Sequence, residues 1–135
     1  MRITLDTNFL ISATQWDYSV SNKLFLRLIP QGAELFISQA ILDEFSKVLL
    51  RDFHYSVEEA NSFIKVIISF FNLVEPIEKI DALKEDPEDN IVLECAVASH
   101  SDYILTYEKH LLNLKDFRGI KISKPEEMFE IINFS

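Results

Sequence analysis

The stretch Arg2-Ile3-Thr4-Leu5-Asp6-Thr7-Asn8 decides how this chain is interpreted. Residues 2–5 form a short apolar run typical of a first β-strand, and the run stops on the carboxylate of Asp6. Thr7 and Asn8 then open a polar turn. In open parallel α/β sheets, ligands bind beyond the carboxyl ends of the strands, so Asp6 lies where a site is expected. Four more acids occur at similar junctions: Glu44, Asp86, Asp89 and Glu108.

The composition is that of one soluble globular domain covering residues 1–135, with 48% hydrophobic and 26% charged residues. The chain has only 2 glycines, which argues against a Gly-rich nucleotide-binding loop. The single cysteine, Cys95, excludes an internal disulfide and a cysteine-based zinc cluster. No signal-peptide pattern is present, and the longest apolar stretch, 64–71, is too short to cross a membrane. A cytoplasmic protein is therefore expected.

The formal net charge of -9 bears on possible partners. It disfavours general binding of nucleic acid, because affinity for phosphates usually comes from Lys and Arg. A metal ion between carboxylates and phosphates reverses the sign of the local field, however. The charge therefore leaves metal-dependent cleavage of nucleic acid open.

Strand and helix patterns alternate along the chain. Helix-capping residues are expected at Ser19 or Ser21, at Ser38, and at Ser56, where Glu59 completes a capping box. The segment from Pro76 to Lys84 is predicted to be a polar connection. Five short strands are predicted, at 2–5, 33–37, around 73–74, 103–106 and 120–122. This alternation predicts an α/β fold whose parallel sheet is covered by helices on both faces.

The helix that follows Ser38 carries two neighbouring acids, Asp43 and Glu44, of which one is expected to face the site. Its buried stripe contains Ile41, Leu42, Phe45, Val48 and Leu49. At roughly 100° per residue, Asp43 points almost opposite this stripe, whereas Glu44 lies on its flank. A flanking carboxylate can lean into a cleft, so Glu44 is the candidate. A solvated helix face is the ordinary alternative explanation.

The string Asp86-Pro87-Glu88-Asp89 also has an ordinary explanation. Asp at the N-cap, Pro at the first helical position and acids in the first turn make a good helix start. Residues 91–98 are apolar nearly all round, which indicates a buried helix. Acids in its first turn place charge near the core, where charge needs a partner or a cation. Asp89 is the innermost of the three.

Glu108 follows the fourth predicted strand, within Thr106-Tyr107-Glu108-Lys109-His110. An exposed turn with a salt bridge would explain it. If strands one and four are central neighbours, Glu108 instead lies beside Asp6, and Thr106 offers a hydroxyl to a ligand. The three histidines lack the spacing of a zinc hydrolase; they are His54, His100 and His110.

Carboxylates brought together repel each other, which raises their pKa values unless a cation lies between them. Hard oxygen ligands suit magnesium or manganese. Magnesium keeps several waters, one of which can be activated for attack on a phosphodiester. The residues therefore suit a metal-dependent hydrolase of nucleic acid.

Four strings of sequence resemble those of PIN-domain proteins, in the branch of VapC-like toxins of toxin–antitoxin pairs. The strings are 3–8, 38–45, 86–90 and 103–112. The resemblance implies a metal-dependent ribonuclease on a three-layer α/β/α sandwich with a central parallel five-stranded sheet. It also implies a small antitoxin protein as partner. Asp6, Glu44 and Asp89 match the family's three main metal-binding acids, and Asp86 matches an extra acid of this branch.

The last string departs from the family pattern. Relatives usually show Thr-Gly-Asp followed by Lys-Asp-Leu-Leu. Here Tyr107 replaces the glycine, Glu108 the first aspartate and His110 the second. Glu108 can still bind a metal, whereas His110 cannot replace an anionic ligand of magnesium. Tyr107 is expected to narrow the negatively charged groove that the resemblance implies.

The main hypothesis is a Mg²⁺- or Mn²⁺-dependent endoribonuclease. The candidate metal ligands are Asp6, Glu44, Asp86, Asp89 and Glu108. The candidate catalytic residues are Asp6, Glu44, Asp89 and Glu108. Candidates for orienting RNA or water are Asn8 and Thr106.

Two alternatives remain open at this stage. A catalytically degenerate PIN-like module would bind RNA or a protein partner without cutting. A phosphoacceptor receiver domain fits less well, because its paired acids and its strand-three acceptor are missing. A homodimer is also expected, because the apolar helix residues Ile67, Ile68, Phe70 and Phe71 exceed what one small face should bury.

Overall fold

A computed structural model describes residues 1–133 as seven α-helices and six β-strands. The strands are β1 (Arg2–Leu5), β2 (Glu34–Ser38), β3 (Asn72–Val74), β4 (Tyr103–Leu105), β5 (Asp116–Phe117) and β6 (Ile120–Ser123). The helices are α1 (Thr7–Gln15), α2 (Val20–Leu28), α3 (Gln39–Asp52), α4 (Val57–Phe70), α5 (Asn90–Ala98), α6 (Lys109–Leu114) and α7 (Pro125–Asn133). No helix among these residues is long and apolar enough to cross a membrane.

The strands form one sheet in the order β3-β2-β1-β4-β6-β5. Strand β1 is central and pairs in parallel with β2 on one side and β4 on the other, Leu5 lying opposite Leu105. The chain thus leaves β1 toward one edge and later returns to its other side. The crevice beyond the ends of β1 and β4 is the switch point at which α/β sheets bind ligands.

Both faces of the sheet are covered by apolar side chains. In β4, Leu105 belongs to one buried cluster and its neighbour Ile104 to a second, because successive residues of a strand point to opposite faces. Helices α1 to α4 and α7 contribute to the first cluster, α6 contributes to the second, and α5 contributes Cys95 to the first and Val92, Leu93 and Ala96 to the second. The predicted α/β fold with a helix-covered parallel sheet is confirmed.

The number of strands differs from the prediction by one. The short strand β5 pairs antiparallel with β6 through a two-residue turn. Arg118 and Gly119 both have positive φ, 51° and 84°, as in a type I′ hairpin. Sequence reasoning missed this turn because Arg is not among the residues that usually occupy it.

Helix α1 is the second element that the sequence reading missed. It begins directly after Asp6 and buries Phe9, Leu10 and Ile11. By contrast, the side chains of Ser19, Ser38 and Ser56 cap their helices as expected, and Glu59 completes the capping box. The start at Asp86 differs: Pro87–Asp89 is a single 3₁₀ turn, and the Asp86 side chain makes no cap hydrogen bond.

The connection before Asp86 is predicted from sequence to be polar, but two of its apolar residues are buried in the structure. Ile80 and Leu83 are buried against α5 and join the second cluster. The buried Asn90 accepts from the backbone N–H groups of Ala82 (3.2 Å) and Leu83 (2.9 Å) and donates to the Leu83 carbonyl (3.1 Å). Since Asn90 is the first residue of α5, this amide fixes the loop against the helix that follows the acidic turn.

Replacing Asn90 with Ala should destabilise the protein by about 2–4 kcal/mol, because three hydrogen bonds are lost and buried backbone groups are left unpaired. Urea denaturation at constant pH measures this. Asn61→Ala, at an exposed position of α4, is the control and should change stability by no more than about 0.5 kcal/mol. Equal effects of the two substitutions would contradict the role given to Asn90.

Candidate metal centre

Asp6 joins strand β1 to helix α1 and is 4% exposed. One carboxylate oxygen, Oδ1, accepts the backbone N–H of Phe9 at 2.9 Å and so caps α1. The other, Oδ2, accepts the hydroxyl of Thr106 just beyond β4. The Thr106 oxygen in turn accepts the backbone N–H of Glu108 at 2.8 Å. This chain of contacts connects the ends of the two central strands.

Ionisation of the buried Asp6 carboxyl group is disfavoured. Burial raises its pKa to about 6, although the hydrogen bonds from Thr106 and Phe9 oppose the shift. The negative charges of Glu108 and Glu44 raise the pKa further. A cation in contact with these groups would relieve both causes, because it replaces lost hydration and offsets the repulsion.

A second part of the site consists of four side chains whose ligand atoms all lie within 4.8 Å of one another. These are Asp86, Asp89, Glu108 and His110. Asp86 immediately precedes the 3₁₀ turn before α5 and Asp89 is its last residue, while Glu108 and His110 lie at the start of α6. All four are partly buried. Two segments far apart in sequence therefore bring three carboxylates and one imidazole together.

Asp89 is the most perturbed acid in this group. Burial, followed by the charge of Asp86, raises its pKa to about 7, and the charges of Glu108 and Asp6 add to the shift. Its Oδ2 atom is shielded from solvent and has no hydrogen-bond partner. A shielded carboxylate oxygen without a donor is a position that a cation can satisfy.

Glu44 lies on helix α3, within electrostatic range of Asp6 and Asp86. It is half-buried, whereas its neighbour Asp43 is exposed and accepts a hydrogen bond from Gln39. Burial and the charges of Glu88 and Asp86 raise the pKa of Glu44, and Lys47 and Arg51 oppose the shift. The helical-face argument thus distinguished these two acids correctly by burial.

The five acids chosen from sequence are not equally close together. Asp86, Asp89 and Glu108 belong to the tight group, and Asp6 and Glu44 do not. The charges of Glu108 and Glu44 nevertheless reach Asp6, and the charge of Asp6 reaches Asp89. Five carboxylates therefore share one region at the ends of β1 and β4. Their hard oxygen atoms suit Mg²⁺ or Mn²⁺.

The two residues expected to orient RNA or water have different environments. Asn8 is exposed at the start of α1. Thr106 is fully buried, and its hydroxyl is used within the protein, where it contacts Asp6 and Glu108. Thr106 therefore positions Asp6.

Sequence reasoning missed two residues of this region, His110 and Asn90. Sequence reasoning excludes His110 because imidazole is not an anionic ligand, although His110 stands two residues after Glu108 in the same string. Asn90 belongs to the string 86–90, but its side chain has no local pattern that indicates a role. Only its contacts with the loop at 82–83 reveal its role.

The fold and the site define an α/β protein with an acidic centre at the switch point of its sheet. A family model described as "PIN domain" matches residues 2–110, and the chain belongs to the PIN domain family. A comparison with curated protein sequences finds no significant match.

Solved structures show the same fold. VapBC2 from Rickettsia felis, bound to a DNA fragment from its promoter, matches with a TM-score of 0.66 at 15% identity, covering 92% of this chain and 98% of that chain. VapBC-1 from nontypeable Haemophilus influenzae matches with a TM-score of 0.67 at 18% identity, covering 93% and 99%.

The pKa shift of Asp6 predicts how stability changes with pH in the metal-free protein. A carboxyl group whose pKa is higher in the folded state than in the unfolded state favours folding at low pH, and this contribution is lost as pH rises. Between about pH 4 and pH 8 the stability of Asp6→Asn relative to wild type should therefore increase, by about 2–3 kcal/mol for a shift of this size.

Urea denaturation in chelator at both pH values measures this difference. Asp43→Asn is the control, because Asp43 is exposed to solvent. The stability of this variant relative to wild type should hardly differ between the two pH values. A stability difference between Asp6→Asn and wild type that does not change with pH would contradict the raised pKa.

Proposed function

We propose that this PIN domain is a Mg²⁺- or Mn²⁺-dependent endoribonuclease that hydrolyses phosphodiester bonds of RNA in the cytoplasm. The observation that carries the proposal is the close grouping of Asp86, Asp89 and Glu108 near the switch point of the sheet, with Asp6 and Glu44 within electrostatic range. Burial and mutual repulsion raise the pKa values of Asp6, Glu44 and Asp89. PIN domains are generally nucleases that use divalent metals.

The roles of the acids follow from their positions. Asp6, Glu44 and Asp89 are the proposed main ligands, and Asp86 and Glu108 assist directly or through water. When bound, the ion supplies a nucleophilic water and stabilises charge on the phosphate. Asp6, Glu44, Asp89 and Glu108 are the proposed catalytic residues.

Three polar residues complete the proposed centre. Thr106 holds the Asp6 carboxylate in one orientation, because its hydroxyl donates to Oδ2. The exposed Asn8 is available to orient RNA or water. Lys47 lines an open pocket together with Glu44 and is positioned to meet a phosphate of the substrate. These contacts allow an acidic protein to bind RNA chiefly through its metal.

Cleavage of a mixed-sequence single-stranded RNA tests the proposal. With Mn²⁺ or Mg²⁺ the wild-type protein should cut, and with chelator it should not. Asp6→Asn and Glu44→Gln should each lower the rate about a hundredfold or more, because metal-borne charge stabilisation is worth several kcal/mol.

The control is Glu58→Gln, which removes an exposed carboxylate in the first turn of α4 and should cut at the wild-type rate. Metal-dependent cutting that survives in Asp6→Asn would refute the assignment of Asp6.

A catalytically degenerate module is the second candidate, and one contact favours it. Tyr107 stands where relatives have glycine, and its hydroxyl donates to Glu126 of α7 at 2.6 Å. The contact ties the residue before Glu108 to helix α7. Absence of cutting by folded, metal-bound protein would favour this candidate. In that case Tyr107→Gly is the first substitution to try for restored cutting.

We further propose that the chain is the toxin of a toxin–antitoxin pair and binds a small antitoxin. The likeness of its fold to chains of the two VapBC assemblies supports this partner. Copurification with the product of a neighbouring gene, if that product inhibits RNA cleavage, is the direct test.

A homodimer is also proposed. Of the four apolar residues from which it was expected, Ile67 and Phe71 are buried within the chain, while Ile68 and Phe70 are 53% and 49% exposed. Leu73 on the edge strand β3 is 56% exposed. These side chains form the apolar surface that self-association would cover.

Light scattering after size-exclusion chromatography should give a dimer mass for wild type and a monomer mass for Ile68→Glu. Val57→Glu is the control, because Val57 is 60% exposed at the other end of α4, about 16 Å away along the helix axis. A monomeric wild-type protein, or a dimer unaffected by Ile68→Glu, would contradict this interface.

A further inference from the structure

We infer that His110 is a nitrogen ligand of the metal centre and that it makes the centre prefer Mn²⁺ over Mg²⁺. The inference rests on the proposed function and goes beyond it, because it concerns a residue that departs from the family's acidic pattern. It predicts a metal preference that an all-carboxylate centre would not have.

The position of the inner ring nitrogen carries the inference. The Nδ1 atom of His110 lies 3.7 Å from Oδ2 of Asp86 and 3.6 Å from Oε1 of Glu108. Both separations are too long for hydrogen bonds. They are near the spacing of about 3–3.6 Å between two ligands that each lie about 2.1 Å from one ion. The three atoms therefore surround a space that suits a cation.

Two orphaned atoms point to the same space. Nδ1 of His110 is shielded from solvent and has no hydrogen-bond partner, and Oδ2 of Asp89 is in the same condition. Most buried polar atoms are satisfied, so two orphans within one group of four potential ligands require a common explanation. A shared ion satisfies both.

The outer ring nitrogen has a different neighbour. Nε2 of His110 lies 3.4 Å from the carboxylate of Glu85, which is exposed. Metal-ligating histidines usually present their second nitrogen to a carboxylate or carbonyl, which fixes the tautomer with the lone pair toward the metal. In His110 that tautomer carries its hydrogen on Nε2 and leaves Nδ1 free to bind.

The chemistry of the donor set gives the preference. Mg²⁺ selects oxygen ligands, whereas imidazole suits transition metals. Three carboxylates with one imidazole form a mixed oxygen and nitrogen set, which Mn²⁺ accepts more readily than Mg²⁺. The competing explanation is that His110 is only a counter-ion that offsets the acids in its charged form.

Pulsed electron paramagnetic resonance of protein loaded with Mn²⁺ alone distinguishes these explanations. A directly bonded imidazole should give nitrogen modulation of the Mn²⁺ signal. The modulation should disappear in His110→Asn and persist in His100→Asn. His100 is a suitable control because it follows α5 with φ 53°, a conformation that Asn tolerates.

Calorimetric titration with each metal supplies an independent readout. His110→Asn should weaken Mn²⁺ binding at least about tenfold, since even outer partners of metal ligands are worth 10- to 100-fold in affinity. His110→Asp restores an all-oxygen set at the start of α6, where an acid also suits the helix dipole. It should lower the ratio of the Mg²⁺ to the Mn²⁺ dissociation constant about tenfold or more relative to wild type.

The outcomes separate the inference from the proposed function. Mn²⁺ binding without nitrogen modulation, or a metal preference that is the same in wild type and His110→Asp, overturns the role of His110 and leaves an all-oxygen nuclease centre in place. Failure of folded wild-type protein to bind Mn²⁺ at all overturns both. Nitrogen modulation that depends on His110, with the shifted preference, establishes the inference.

Discussion

The contact between the Asp6 carboxylate and the Thr106 hydroxyl is the interaction on which the rest of the site depends. Strand β1 ends and helix α1 begins at Asp6, so one side chain both caps the helix and faces the crevice. The parallel pairing of Leu5 with Leu105 places Thr106 beside it. Through Thr106 the same contact sets the backbone at Glu108. A shift in the β1–β4 register would separate these groups.

The second constraint lies in the loop that leads to Asp86 and Asp89. Asp86 precedes the 3₁₀ turn Pro87–Asp89 and Asp89 ends it, and the turn has no side-chain cap hydrogen bond. Its position is instead set by Asn90, which holds the preceding loop, and by Ile80 and Leu83, which anchor that loop in the core. Apolar burial thus keeps carboxylates at close range even though their charges repel.

The grouping of carboxylates that suits a ligand in this region is unfavourable for the stability of the ligand-free fold. The pKa values of about 6 for Asp6 and about 7 for Asp89 show that the folded chain binds protons more tightly there than free carboxyl groups do. Strain of this kind collects at functional sites, because groups poised for a ligand are not satisfied without it. The imidazole of His110 adds one donor to this set that is not an acid.

The sequence by itself determined the order of the elements other than α1 and β5, the helix caps at Ser19, Ser38 and Ser56, and the greater burial of Glu44 than of Asp43. All of these follow from local periodicity and capping chemistry. The sequence also indicated that Asp6 and Glu108 lie at neighbouring strand ends. Only the tertiary structure decided which groups meet. It showed that Thr106 is used to hold Asp6, that Asn90 fixes the loop, and that His110 stands among the acids. These contacts join residues from separate segments, and their distances depend on packing between the sheet, α5 and α6, which no local pattern encodes.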